Sequence, residues 1–224
     1  MNIPVSKLRL RNRIVAMLPG LAAAWERFRF GQVELKRYET EGLGGALPPV
    51  LKRALIRKIA LQNGLTSFVE TGTYLGDTPW RLLDLFAELH TIELSPILAS
   101  LARERFKRFP KVHVYEGDAG ELIFDVVQRL RTPTLFWLDS HWCAGFTARA
   151  KVNCPIFREL EAIFLHSVSP YAILIDDAAD FGGANDYPML QKLLEFIAQH
   201  NSSLRVFVEN NIVFAIPQVS QCIS

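Results

Sequence analysis

Acidic side chains recur directly behind short apolar runs in this sequence, at Glu70, Glu93, Asp118, Asp139 and the pair Asp176-Asp177. If those runs are neighbouring strands, the carboxylates collect at one end of a sheet. There they can receive a sulfonium or ammonium, the hydroxyls of a ribose, or a hard metal ion bound through oxygen. Asp139, Asp176 and Asp177 repel one another unless protonated or bridged by a cation, which asks for Mg²⁺ or a similar ion. His141 follows Asp139 by two residues and is a candidate general base, because its pKa is near neutral. The duller reading is that Asp139 only shapes a pocket and Asp177 is solvated. Asp139, His141, Cys143 and Cys154 could also be drawn together around zinc, but their spacing matches no common zinc pattern. His90 and His113, in or beside strands, read as satisfied structural residues, and His166 and His200 as helix-terminal ones.

The glycines say where a cofactor would lie. Residues 66–78 read as strand, tight turn and helix start: Phe68-Val69 follows Asn63-Gly64, Gly72 and Gly76 bracket the turn, and Asp77 or Thr78 can cap a helix with Pro79 in its first turn. Glycine admits backbone angles closed to other residues and lets a ligand approach the main chain, while the helix start adds N–H groups. A dinucleotide fingerprint wants Gly-x-Gly-x-x-Gly for its pyrophosphate. Here the spacing is Gly72-x-x-x-Gly76, with Glu70 at the strand's end. A carboxylate there repels phosphate and welcomes a positive charge, which points away from NAD and toward a cationic cofactor. Glu93 stands twenty-one residues beyond Gly72, the offset at which an acid reaches ribose hydroxyls. Its plainer alternative is to cap the helix that begins at Ser95-Pro96.

Positioning these groups requires strands alternating with helices, and the pattern supplies them. After the first strand come strand-like runs at 89–93, 112–115, 134–139, 172–176, 204–208 and 212–216. Helical patterns at 79–88, 96–106, 119–130, 155–165 and 188–199 separate most of them, and four of the five open with proline, which a first helical turn tolerates. A further helix precedes the glycine turn, with Leu51, Leu55 and Ile59 on its apolar face and Lys52, Arg53, Arg57 and Lys58 on others. Such alternation implies a mostly parallel sheet covered on both faces. The runs at 204–208 and 212–216 are joined only by Glu209-Asn210-Asn211, too little for a crossover, so they form an antiparallel hairpin. The expected fold is α/β: a Rossmann-like, doubly wound, mostly parallel seven-stranded sheet with a C-terminal antiparallel hairpin. It occupies residues 49–224 behind a helical N-terminal extension at 1–48.

Bulk properties exclude several classes. With 224 residues and 50% apolar content the chain can bury a sizeable core, and a net charge of +2 gives no strong field for nucleic acid. Three cysteines do not make a disulfide framework, so a reducing, cytoplasmic setting is the default. Lys7, Arg9, Arg11 and Arg13 precede an apolar run at 14–24 that imitates a secretory leader, but Pro19-Gly20 interrupts it and it is too short to cross a bilayer. An arm packing on the domain or on a second subunit, and so a route to a homo-oligomer, is the preferred reading over a membrane-surface helix. The unpatterned loop at 140–153 is long enough for a lid, which makes Trp142, Phe146, Arg149 and Lys151 candidates for an acceptor pocket.

From about residue 50 to 216 the chain resembles a class I S-adenosylmethionine-dependent methyltransferase, and within that class the metal-dependent macrocin O-methyltransferase and cephalosporin hydroxylase-like group. The likeness rests on Val69-Glu-Thr-Gly72, on Asp139 after the fourth strand and on Ile175-Asp-Asp177 after the fifth. It implies S-adenosyl-L-methionine held by Glu70, Thr71, Gly72, Thr73, Tyr74, Gly76, Thr78, Glu93, Leu94, Gly117, Asp118, Ala119 and Asp139, with Asp118 meeting the adenine amino group. It further implies a metal, Mg²⁺, on Asp139, Asp176 and Asp177. That group usually carries a second aspartate where this chain has His141. The cation could then be a softer one, or His141 could replace the group's base, which makes Asp139 and His141 the catalytic candidates. The implied reaction is O-methylation of a small hydroxylated acceptor, a sugar or a natural-product intermediate. The alternative is a non-methylating relative, a hydroxylase-like enzyme or an S-adenosylmethionine-binding module, since fold does not fix function.

Overall fold

The computed structural model describes residues 47–139, 154–166 and 168–218. Helix α1 (Pro49–Asn63) starts on proline, whose fixed φ suits a first turn, and stops at Gly64, which takes a left-handed φ of 63° and returns its N–H to Ala60 O. There follow β1 (Ser67–Thr71), α2 (Asp77–Arg81), β2 (Glu88–Glu93), α3 (Pro96–Phe106), β3 (Val112–Glu116), α4 (Ala119–Val127) and β4 (Thr134–Leu138). After the undescribed 140–153 come α5 (Ile156–His166), β5 (Tyr171–Ile175), a 3₁₀ turn (Ala178–Asp180), α6 (Leu190–His200), β6 (Leu204–Glu209) and β7 (Ile212–Pro217).

The strands form one seven-stranded sheet in the order β3-β2-β1-β4-β5-β7-β6. β1 to β5 are mutually parallel, while β7 enters antiparallel between β5 and β6. The hairpin closes through Asn210 and Asn211, both at positive φ (51° and 62°), the pair of angles a two-residue type I′ turn needs. Strand order reverses between β1 and β4, which is where a doubly wound sheet opens a crevice at the strands' carboxyl ends.

Side chains alternate between two cores. One face carries Phe68, Leu89, Leu135, Trp137, Ala172, Leu174, Ile212 and Phe214 beneath Ile56, Ile59 and Ala60 of α1. The other carries Val69, Ile92, Phe136, Leu138, Ile173, Ile175, Val213 and Ala215 beneath α4, α5 and α6. β1, β4 and β5 are therefore buried at every position, which is why β4 and β5 read as nearly continuous apolar runs.

Three expectations need correction. The helix expected at 79–88 spans only Asp77–Arg81, followed by turns into β2. Its carbonyls are taken from outside: Arg57 donates to Arg81 O at 2.8 Å, and Lys111 reaches Leu83 O and Phe86 O. The apolar face of α1 is also rotated from the expected one: Arg53, Ile56, Ile59 and Ala60 are buried, Leu51 and Leu55 only half so, and Leu61 is 71% exposed. The prolines act more loosely than expected, since Pro96 sits at a first helical position, Pro79 lies third in α2, and Pro155 and Pro188 precede their helices. Among the described residues no helix is long and apolar enough to cross a membrane. The arm and leader-like run at 1–46 lie outside the described residues.

Candidate active site

Period-two alternation brings the acids together. On the α1 face, Phe68 is followed two positions later by Glu70, Leu89 by Thr91 and then Glu93, Leu135 by Trp137 and then Asp139, and Leu174 by Asp176. Glu70 pairs in register with Thr91 on one side and Trp137 on the other. Thr91 Oγ1 donates to Glu70 Oε2 at 2.9 Å, so Glu70 and Glu93 share one face of the sheet. Between this shelf and α1 lies a cavity of about 350 Å³. Its wall takes Lys52, Arg53 and Ile56 from α1; Glu70, Gly72, Thr73, Tyr74, Leu75, Asp77, Thr78 and Arg81 from the glycine turn and α2; and Trp137, Asp139 and Asp176 from the strand ends.

The turn holds its shape through groups distant in sequence. Gly72 and Gly76 stand at φ 92° and 72°. A Cβ on Gly76 would lie 2.9 Å from the ring of Phe106, so glycine is required both for the angle and for the approach of α3. Arg105, fully buried, donates to Leu75 O and to Asp77 Oδ1, both at 2.6 Å, and its guanidinium lies 5.0 Å from the Trp80 ring centroid. Glu93 accepts from Tyr74 N (2.7 Å) and Ser95 N (2.9 Å), clamping the turn to the head of α3. The helix cap itself is Ser95, whose hydroxyl accepts from Leu98 N, so Glu93 orders the cap residue rather than capping α3 as the plainer reading expected. A carboxylate has about four lone-pair sites, so Glu93 keeps acceptor capacity for a ligand's hydroxyl.

Electrostatically the shelf is an acid held out of water. Burial pushes the Glu70 carboxyl well above its ordinary value, against hydroxyls of Thr91 and Thr78 that favour the charged form. Asp139 is pushed up to about 8, first by burial and then by the neighbouring Asp176. Asp176 is raised by burial, and the Lys52 ammonium, ion-paired with it, acts in the opposite sense. A cavity walled by buried carboxylates beside a glycine turn fits a cationic cofactor: its acids ionise more readily once a positive charge stands beside them, and the turn allows the close main-chain approach that a sulfonium and an ammonium use.

Carboxylate oxygens of Asp139, Asp176 and Asp177 lie within 4.8 Å of one another, an all-oxygen donor set that suits a hard divalent ion. Asp177 sits at φ 52° with its N–H on Asp176 Oδ1 (2.9 Å), and Asn211 of the hairpin turn pins the following segment through Ala178 N (2.8 Å) and Ala179 N (2.7 Å). Asn211 also donates to Asp177 Oδ1 at 3.3 Å.

The remaining sequence candidates fall in three places. Thr71 is fully buried away from the cavity wall, and its carbonyl and hydroxyl receive the Asp139 N–H. Leu94, Gly117, Asp118 and Ala119 lie at the ends of β2 and β3, outside the cavity wall, with Asp118 capping α4 through Gly120 N (2.9 Å) and Gly117 N bonded to Glu93 O (2.9 Å). His141, Cys143 and the loop residues Trp142, Phe146, Arg149 and Lys151 lie outside the described residues. Cys154 is buried, and burial pushes its thiol up to about 12, which leaves it protonated and a poor zinc ligand. Sequence reasoning missed Lys52, Arg53, Arg105 and Asn211. For Asn211 a signal existed, because an Asn-Asn pair between two apolar runs marks a hairpin turn. For the cations none did, since periodicity assigns polar residues to solvent.

No protein-family model and no curated protein matches the chain. Solved structures do. An O-methyltransferase from Bacillus cereus in complex with SAH aligns at 16% identity and TM-score 0.57, over 96% of this chain and 100% of that one. An SAH-bound methyltransferase from Podospora anserina aligns at 15% identity and TM-score 0.53, over 97% of this chain and 90% of that one. The MycE methyltransferase of the mycinamycin biosynthetic pathway, in complex with Mg, SAH and mycinamycin VI, aligns at 13% identity and TM-score 0.52, over 77% of this chain and 50% of that one. Taken with the strand order and the inserted antiparallel β7, these likenesses establish that the chain has the Rossmann-like class I methyltransferase fold.

Proposed function

We propose that this protein is an S-adenosyl-L-methionine-dependent O-methyltransferase acting on a small hydroxylated acceptor, a sugar or natural-product intermediate, with a divalent cation at Asp139, Asp176 and Asp177. The observation that carries the reading is Glu70: a fully buried carboxylate, raised by burial, in the wall of a cavity beside the glycine turn. When bound, S-adenosyl-L-methionine supplies an electrophilic methyl group on a sulfonium. A sulfonium settling on the shelf favours the ionised form of Glu70, which then provides the compensating negative charge, and Gly72 to Gly76 allow main-chain approach. Glu93, held by two backbone amides, presents its remaining lone pairs to ribose hydroxyls, and Asp118 stands at the neighbouring strand end for the adenine. Asp139, in the cavity wall, would orient an acceptor hydroxyl and, once ionised beside a cation, help to accept its proton, with His141 as the candidate general base. The MycE complex, which holds Mg, SAH and a mycinamycin together, supports a small-molecule acceptor and a cation near the cofactor. No nucleic-acid partner is proposed.

One observation favours a second reading of the cation. Lys52 Nζ is ion-paired with Asp176, so an ammonium already stands at the carboxylate cluster. The two readings separate in methyl-transfer assays with hydroxylated acceptors, followed by S-adenosylhomocysteine release in Mg²⁺ or in chelator. The metal reading predicts that chelator abolishes turnover and that Lys52→Met retains it. Turnover that is indifferent to chelator and lost in Lys52→Met assigns the role to the ammonium. Tight cofactor binding with no turnover on any acceptor would make the protein a binding module.

A further inference from the structure

On the sheet face opposite the cavity, β2 and β3 bring Glu88, His90 and His113 together. His90 and His113 are register partners, and Glu88 precedes His90 by two positions on the same face. Both histidines read as satisfied structural residues, yet His90 keeps one ring nitrogen short of a well-formed hydrogen bond. His90 is 2% exposed, its Nδ1 lies 3.0 Å from Tyr115 Oη, and its Nε2, shielded from water, faces the Glu88 carboxylate without a well-aligned hydrogen bond. A buried imidazole nitrogen facing a carboxylate is satisfied by a shared proton or by a metal ion between the two.

The geometry around that nitrogen is specific. His90 Nε2 lies 3.4 Å from Glu88 Oε1, and His113 Nε2 lies 3.2 Å from the same oxygen. One donor atom from each of the three residues lies within 4.8 Å of the other two. A tetrahedral ion with nitrogen and oxygen ligands at roughly 2.0–2.1 Å separates those ligands by about 3.3 Å, which both distances match. The two imidazoles are stacked, with centroids 4.8 Å apart and planes at 21°, so their Nε2 edges turn to the same carboxylate. The Tyr115 contact is the outer hydrogen bond a ligating histidine commonly makes: the tautomer that donates Nδ1–H to Tyr115 Oη leaves a lone pair on Nε2. His113 and Glu88 have side chains 40% and 42% exposed, which leaves a path of entry and room for a water in the fourth position.

We propose that Glu88, His90 and His113 form a surface-open site for a divalent transition ion of the zinc class, clamping edge strand β3 to β2. Two imidazoles and one carboxylate favour such an ion over Mg²⁺, which prefers oxygen ligands. The site is separate from the carboxylate cluster at the cavity, whose donors are all oxygen. An ion that binds only the folded chain stabilises it by mass action.

The test uses the full chain, freed of metal with chelator and titrated calorimetrically with ZnCl₂ in excess MgCl₂, with CoCl₂ as an optical probe. One equivalent of zinc is expected to bind and to raise the melting temperature, and Co²⁺ to give visible bands of tetrahedral intensity. His113→Gln and Glu88→Gln, both at half-exposed positions that tolerate change, should each weaken zinc binding by about tenfold or more and abolish the cobalt bands. Asp177→Asn should leave both unchanged. The proposal is overturned if zinc fails to bind, if His113→Gln and Glu88→Gln bind it as the parent does, or if Asp177→Asn is the variant that loses it.

Discussion

Along the α1 face of the sheet, Phe68, Leu89, Leu135 and Leu174 lie within their strands, while Glu70, Thr91, Asp139 and Asp176 stand two or four positions further along, Asp139 and Asp176 just past the ends of β4 and β5. Both sets face the same helix, and both are shielded from water to a large degree. They differ in what shielding does to them. Each apolar side chain gains about 1.5–3 kcal/mol on burial, whereas each carboxylate is raised in pKa because its charged form loses hydration. The lower half holds the strands together firmly enough that the upper half can keep acids in a dry cavity. Period-two alternation makes both possible on one face.

Substitutions in the two halves should therefore separate stability from activity. The largest effect is expected from Asp139→Asn, which keeps the shape but removes the proton acceptor. Turnover should fall by about 10²–10⁴, with chemical denaturation showing no loss of stability. An unfolded or fully active variant would erase the distinction between the halves. Next comes Phe68→Ala, which should cost roughly 3–5 kcal/mol of stability while the folded fraction still binds cofactor. Loss of binding without loss of stability would place Phe68 in the site instead.

The smallest effect concerns pH. In the folded protein Glu70 holds its proton above its ordinary value of 4.5, so the folded state binds more protons than the unfolded one. Its contribution to stability is therefore greatest in acid and declines as pH rises from about 4.5 through the folded-state value. Glu70→Gln should flatten that part of a stability profile measured by denaturant titration between acid and neutral pH. A steeper profile in the variant would mean that Glu70 is already charged in the folded protein before any cofactor binds.

Much of this arrangement was legible in the sequence. The strands of the parallel sheet announce themselves as apolar runs, and the acids of the shelf are found because each closes such a run. The hairpin follows from the shortness of Glu209-Asn210-Asn211. The roof of the cavity was not legible. Period analysis put Leu51 and Leu55 inside and Lys52 and Arg53 outside, whereas α1 turns Arg53 inward and lays Lys52 on Asp176. A cation that compensates a distant acid looks like a solvated one until the acid's position is known. The shortness of α2 was hidden for the same reason, because the groups that capture the carbonyls at its end and in the turns after it, Arg57 and Lys111, come from α1 and from just before β3. His90 reads as satisfied since a strand histidine usually is; only the fold shows that its second nitrogen faces Glu88 without a well-formed hydrogen bond.

The central claim is that the buried acids and the glycine turn select a positively charged sulfur compound over a phosphate-linked one. Calorimetric titration of the full chain with S-adenosyl-L-methionine, S-adenosylhomocysteine and NAD tests it most directly. One equivalent of each sulfur ligand should bind, about tenfold or more weakly after Glu93→Ala, and NAD should give no heat. Saturable binding of NAD without binding of S-adenosyl-L-methionine would contradict the account.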